Sequence, residues 1–161
     1  MAYKIGSSGG GGGTPRVVYA NFATQQHFMV NVGIQTIIFD AAPLDPNSEY
    51  NTTTGEFTAS ESGAYIISGA MGLDASLSVA TTSIEVTVWL NDTAVILNNY
   101  VDVTGLDVSA FYIPYSVDFS LTLNDTISFY IDIISTSGDA RAIKAVAATT
   151  AGGFMSILKC P

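Results

Sequence analysis

The side chains that most often do chemistry are scarce in this chain, which holds one histidine, His27, and one cysteine, Cys160. A nucleophilic hydrolase needs its nucleophile held against a base. His27 stands beside Phe28 in an alternating stretch, the setting of a strand residue or a subunit contact. Cys160 sits one position before Pro161, whereas a reactive thiolate wants a fixed electropositive niche. One histidine and one cysteine are too few for a zinc site. The fourteen carboxylates are dispersed, and only their separation in space decides whether two form a glycosidase pair. Asp102 and Asp107 flank Gly105, and Asp40 and Asp45 flank prolines. Either loop offers oxygen ligands to Ca²⁺, but neither has EF-hand spacing. Solvated loop acids are the expectation, calcium the alternative, and no catalytic residue or cofactor is expected.

The elements that would position these residues are strands. Val, Ile, Thr, Phe, Trp and Tyr occupy 62 of the 161 positions, whereas Lys, Arg and Glu together occupy nine. Branched and aromatic side chains fit a pleated surface, and a helix needs the second group on its wet face. The length suits one domain that buries roughly 70% of its unfolded surface. Only 12% of residues are charged, about half the share in an ordinary soluble domain. Ser, Thr, Asn and Gly must therefore make much of the surface, and other subunits are expected to cover some of the rest. A net charge of −9 with five basic residues excludes counterion-driven nucleic-acid binding and docking on anionic lipid. No apolar run approaches the roughly 20 residues of a membrane-spanning helix, and a lone cysteine forms no intrachain disulfide.

The chain opens MAYKIGSSGG, with Gly and Ser where a secretory signal would carry an apolar stretch. With Met1 as the start, synthesis in the cytoplasm without export is expected. Residues 1–13 form a glycine-rich arm, with Tyr3, Ile5, Gly9 and Gly13 as anchoring residues and Gly9 to Gly13 an unbroken glycine run. Such a run packs no core, and without a following Gly-Lys-Ser/Thr it is no phosphate loop. The expected reading is an arm ordered by a partner. Residues 14–161 form the head. Strands are expected over Arg16 to Phe22, His27 to Val32, Thr36 to Phe39, Gly63 to Gly69 (central) and Thr82 to Leu90, with a loop from Asp40 to Asn51. In the last of these strands Ile84, Val86 and Val88 share one face, with Glu85, Thr87 and Trp89 on the other. Val117 to Leu123 and Ile127 to Ile133 alternate around Asn124-Asp125, which reads as a hairpin turn, as does Asn91-Asp92. A closing strand, Gly152 to Lys159, is apolar enough to sit inside a sheet. The spacing predicts an all-β, two-sheet antiparallel jelly-roll sandwich of eight to ten strands.

One window is more specific. Phe39-Asp40, then Tyr50-Asn51 with Gly55 and Phe57, then Gly63 and Tyr65, resemble the signature of the complement globular head and tumour-necrosis-factor-like jelly-roll family, as found in phage and viral fibre, spike or decoration proteins. Downstream, the Leu90-Asn91-Asp92 hairpin and the closing Gly-Phe-Met-Ser-Ile-Leu strand agree in order. Ile67 departs from the pattern, standing where the family usually has an aromatic. The resemblance implies a homotrimer packed around a threefold axis by one apolar sheet face. Trp89, Tyr112, Tyr115, Tyr130 and Phe154 are the candidate interface residues, with Tyr100 beside them.

These features lead to one expectation: a non-enzymatic virion structural protein, made in the host cytoplasm. It would be a trimeric fibre, spike or decoration head whose arm binds other virion proteins, and which is a candidate to touch a host surface glycan or protein. Two alternatives come from other classes. One is a spore-coat or cell-surface trimeric jelly roll; the other is a carbohydrate-binding or glycan-cleaving module using loop Tyr and Asp residues.

Overall fold

The computed structural model describes residues 16–74, 81–105, 111–136, 142–145 and 153–160. Tyr3, Ile5, Gly9 and Gly13 of the arm, and Asp107, lie outside the described residues. Two antiparallel sheets face one another. The first contains β1 (Arg16–Asn21), β2 (His27–Met29), β4 (Ala41–Leu44), β7 (Gly63–Asp74), β10 (Phe111–Leu121), β12 (Ala142–Ala145) and β13 (Phe154–Lys159). The second contains β3 (Gln35–Thr36), β5 (Tyr50–Asn51), β6 (Glu56–Thr58), β8 (Thr81–Leu90), β9 (Ala94–Asp102) and β11 (Thr126–Ser135). In the first sheet β7 lies between β10 and β13, and β13 continues the sheet to β1 and β4. Beyond β13, β7 pairs β12, which pairs β2. The second sheet runs β5-β6-β11-β8-β9.

Period-two alternation builds the core. Ile84, Val86 and Val88 of β8 and Ile127, Phe129, Ile131 and Ile133 of β11 point inward and are fully buried. They meet Tyr65, Ile67 and Met71 of β7, Val18 and Ala20 of β1, and Met155 and Ile157 of β13. Phe39 lies 4.8 Å from Phe22, ring centre to ring centre, and edge-on to Phe129 at 5.8 Å, the offset and edge arrangements that aromatic quadrupoles favour. The closing strand is interior, as its composition requires.

The structure corrects three expectations. Asn124-Asp125 is not a hairpin turn: β10 pairs β7 in the first sheet, and β11 pairs β8 in the second. The turn carries the chain across the sandwich, and both flanking strands alternate because each has one inner face. Asn91-Asp92, by contrast, is a true hairpin, with φ of 51° at both residues, the left-handed pair of a type I′ turn. Second, the stretch from Asp40 to Asn51 contains β4 and β5, with Pro43 on a strand at the sheet edge, where proline is tolerated. Third, the described residues form thirteen strand segments, because brief pairings such as β3 and β5 add to the longer strands.

Candidate assembly surface

Alternation also fixes what each sheet shows to the outside. Register brings Ser68 of β7 beside Ser116 of β10 on one side and Ser156 of β13 on the other. Ala70 lies between Pro114 and Phe154, and Ile66 between Asp118 and Leu158. Farther along, Val17 neighbours Leu158, and Tyr19 neighbours Ser156 and Leu44. Tyr19 stacks on Phe154 with ring centres 5.9 Å apart. Across β1, β10, β13 and residues 63–73 of β7 the outer face of the first sheet is therefore small at its centre and apolar around it, with Asp118 its one charged side chain; beyond that stretch Asp74, Lys144 and His27 stand in one register row.

Beside this face the two edge strands β9 and β10 meet. Each has a single ladder among the described residues, β9 with β8 and β10 with β7. Asn99 Nδ2 donates to the Pro114 carbonyl at 2.6 Å, so residue 114 turns its backbone groups away from β7. Tyr112 (44% exposed) and Tyr100 (62%) project from these two strands.

The five expected interface aromatics do not gather on one face. Tyr112 and Phe154 lie on the outer face of the first sheet. Trp89 and Tyr130 lie on the outer face of the second, edge-to-face at 5.6 Å. There Trp89 Nε1 donates to Thr87 Oγ1 at 2.9 Å, and Tyr130 Oη donates to Asp92 Oδ1 at 2.8 Å. Tyr115 is a correction. It points inward with Ile113, is 5% exposed, and has no surface to give a partner. Its ring fills the space left by Gly69, where a Cβ would stand 2.5 Å from Tyr115 Oη. The hydroxyl donates to the Phe154 carbonyl at 3.0 Å, and burial pushes its pKa well above the ordinary phenol value.

The residues weighed for chemistry have structural work. His27 is exposed on β2 and pairs in register with Lys144. Cys160 is half-buried, and its backbone N–H donates to the Ala64 carbonyl at 2.8 Å. Asp40 accepts from the N–H groups of Ala23 and Thr24 and from the Thr24 hydroxyl. Asp45 accepts from the N–H groups of Glu49 and Tyr50, and Asp102 from that of Thr104. Asp45 and Asp102 stitch their own turns, and Asp40 ties its segment to the loop that follows β1. Among the described residues no three of His, Cys, Asp and Glu gather as metal ligands would. The signature residues are likewise architectural. Tyr50 is buried, and its oxygen accepts from the Phe39 N–H at 3.0 Å. Asn51 Oδ1 accepts from Thr53 N–H, Gly55 holds a φ of 78°, Phe57 enters the core, and Tyr65 Oη donates to the Glu61 carbonyl. Gly63 opens β7 with Leu121 opposite.

One cluster carries no local signal in the sequence. Arg16 Nη2 lies 2.7 Å from Glu61 Oε1, and Lys159 Nζ lies 2.8 Å from Glu61 Oε2. Arg16 Nη1 also donates to Ser60 Oγ, whose hydroxyl bonds the buried Glu49. The Lys159 hydrogen bond first, then the Arg16 charge, hold Glu61 below the usual carboxylate range. This clasp joins the start of β1 to the end of β13.

The strand order and signature placement define the class: a jelly-roll sandwich of the tumour-necrosis-factor and complement-head type. Solved structures agree. Murine APRIL at pH 8.5 superposes with a TM-score of 0.65 over 91% of this chain and 100% of that chain, at 10% identity. Murine APRIL at pH 8.0 gives a TM-score of 0.66 over the same shares, at 11% identity. The globular domain of zebrafish complement 1qA gives 0.58 over 88% of this chain and 94% of that chain, at 11% identity. No protein-family model and no curated protein matches the chain. At these identities the likeness is one of fold.

Proposed function

We propose that the chain is a non-enzymatic virion structural protein, a homotrimeric head held to its particle by the N-terminal arm. The observation that carries the trimer is the nearly uncharged outer face of the first sheet lying beside the bare β9–β10 edge. A monomer in water gains nothing from a wide face of Ser, Ala, Ile, Leu, Phe and Tyr, and such a face is the mark of an interface. The edge of one protomer, bearing Tyr100 and Tyr112, fits against the Phe154–Tyr19–Leu44 side of the next. That contact is heterologous, and repeated around an axis it closes a ring. The placement of Arg16 supports the arm's role. Residue 16 leaves the sandwich beside Glu61 and Lys159, the end where the Asn91 and Asp125 turns also lie. An anchor there holds the head by one end and turns the apolar Val32–Ile34 turn outward. The acidic surface fits a particle protein that must not bind the packaged nucleic acid.

Light scattering of the full chain after size exclusion tests the reading. A mass of about 51 kDa, three times the 16.9 kDa chain, is the expected result, followed by detection of the polypeptide in purified particles. A 17 kDa monomer at micromolar concentration overturns the trimer and returns the glycan-binding module to first place. Trimers absent from particles and present in spores transfer the head to the spore-coat class.

A further inference from the structure

The first rung of the β1–β13 ladder, where the head begins, sets Arg16 directly across from Lys159. Like charges opposed on neighbouring strands destabilise a sheet. One carboxylate answers both cations: Glu61 takes Arg16 on Oε1 and Lys159 on Oε2. Glu61 belongs to neither strand. It stands on a short strap, residues 59–62 between β6 and β7, whose two ends are tied to the turn between β10 and β11. At one end the Ala59 N–H donates to the Asp125 carbonyl, and the Asn124 N–H donates to the Ala59 carbonyl. At the other, the Leu123 N–H donates to Ser62 Oγ at 2.9 Å. That turn leads into β11 of the second sheet, so the bridging carboxylate rides on a post anchored outside the rung it closes.

The neighbouring residues fit this bridge and do not replace it. A Cβ on Gly63 would stand 2.9 Å from Lys159 Cε, so the bare backbone there gives the lysine stem its path to Glu61. Buried Glu49 lies 3.9 Å from Arg16, and its Oε1 also accepts from the Ser60 N–H and hydroxyl. Tyr65 of β7 donates its hydroxyl proton to the Glu61 carbonyl, and burial raises its pKa above the ordinary phenol value, so it adds no charge at neutral pH. Among the described residues Glu61 is the one carboxylate paired with Lys159.

We propose that Arg16, Glu61 and Lys159 form an ionic latch at the root of the arm, closed while Glu61 is ionised and opening the β1–β13 ladder from its Arg16 end when that charge is lost. With Glu61 neutral, Arg16 keeps Glu49, whereas Lys159 faces a guanidinium across the rung with no counter-charge. The Lys159 hydrogen bond, then the Arg16 charge, hold Glu61 below the usual carboxylate range. The latch is therefore closed at neutral pH and yields in acid, as pH falls through the lowered folded value. A pull on the arm enters the head at this rung, so the latch decides how readily β1 peels away. That use rests on the attachment through the arm proposed above; the latch itself does not.

Hydrogen exchange of the intact full-length protein at neutral pH, read by mass spectrometry on β1 and on β8, tests the latch. Glu61→Gln is expected to speed exchange of the β1 amides nearest Arg16 by roughly threefold to tenfold, the span that two partly exposed ion pairs supply. Those amides are expected to stay ahead of the β8 amides, which wait for global unfolding. Adding Lys159→Gln to Glu61→Gln removes the opposed charge and is expected to return most of the protection. A side chain that only packs would give the reverse, with the double variant less protected than the single one. That reversal overturns the inference. So does a β1 exchange rate indifferent to Glu61→Gln, or protection of β1 equal to that of β8, which would mean that β1 has no opening of its own. All of this is read on the free chain, so absence of the polypeptide from particles overturns the attachment and not the latch.

Discussion

Gly69→Ala tests the junction of three strands. Gly69 lies on β7 between β10 and β13, and a Cβ there would stand 2.2 Å from the Phe154 carbonyl oxygen and 2.5 Å from Tyr115 Oη. Neither neighbour is the free end of a flexible chain: one is backbone in the sheet, the other a buried hydroxyl bonded to that same carbonyl. The methyl must break the Tyr115–Phe154 hydrogen bond, at about 1 kcal/mol, and push the strands or ring aside, at about 1–3 kcal/mol. The expected loss is about 2–4 kcal/mol. Urea unfolding at fixed protein concentration, followed through Trp89 on the opposite sheet, reads it as a midpoint lowered by about 1–2 M at a slope near 2 kcal/mol per molar. In the Tyr115→Phe background the same substitution is expected to cost about 1 kcal/mol less, since the hydroxyl is already gone. A Gly69→Ala midpoint within about 0.2 M of the parent refutes the packing argument.

Other predictions follow from the same geometry. Ser68→Arg, at the centre of the first sheet's outer face, is expected to leave a folded monomer by circular dichroism and to drop the scattering mass to that of one chain. Glu61 has a depressed folded pKa, so its contribution is complete above the unfolded value of about 4.3 and is lost as pH falls through the folded value. Glu61→Gln is therefore expected to lower stability at pH 7, with the difference from the parent vanishing as both are titrated into acid and followed by thermal melts. Gly55→Ala combines a φ of 78° with a Cβ 2.7 Å from the Ile37 carbonyl oxygen, and a loss of at least about 1 kcal/mol in urea unfolding is expected.

Much of the sandwich was legible because its rule is local. A strand with one wet face alternates, and Thr82 to Leu90 announces its buried Ile84, Val86 and Val88 without knowledge of its neighbours. The signature window was legible for the same reason: Asn51, Gly55 and Phe57 complete one turn within seven residues. Pairing partners were not legible. Asn124-Asp125 has the composition of a hairpin turn, and nothing local says that its two strands join different sheets. Tyr115 keeps the alternation of Val117, Phe119 and Leu121, so its inward place was legible once the strand is extended back past Pro114; the room for its ring, made by Gly69 46 positions earlier, was not. The clasp of Arg16, Glu61 and Lys159 joins both ends of the head, so its parts carry no spacing pattern. The outer face of the first sheet shared that fate, because it comes from five strands scattered through the chain.

Pro114 and Asn99 have a consequence for how many copies can crowd together. An open strand edge is a template on which another chain can lay a further strand. At residue 114 the outward donor is absent, because proline has none, and the outward acceptor is taken by the Asn99 amide. The row of outward hydrogen-bonding groups is thus interrupted near the start of the long β10 edge, and an incoming strand finds no continuous register. Copies brought side by side can meet through side chains there and stop, because growth into a continuous ribbon is interrupted where it would begin.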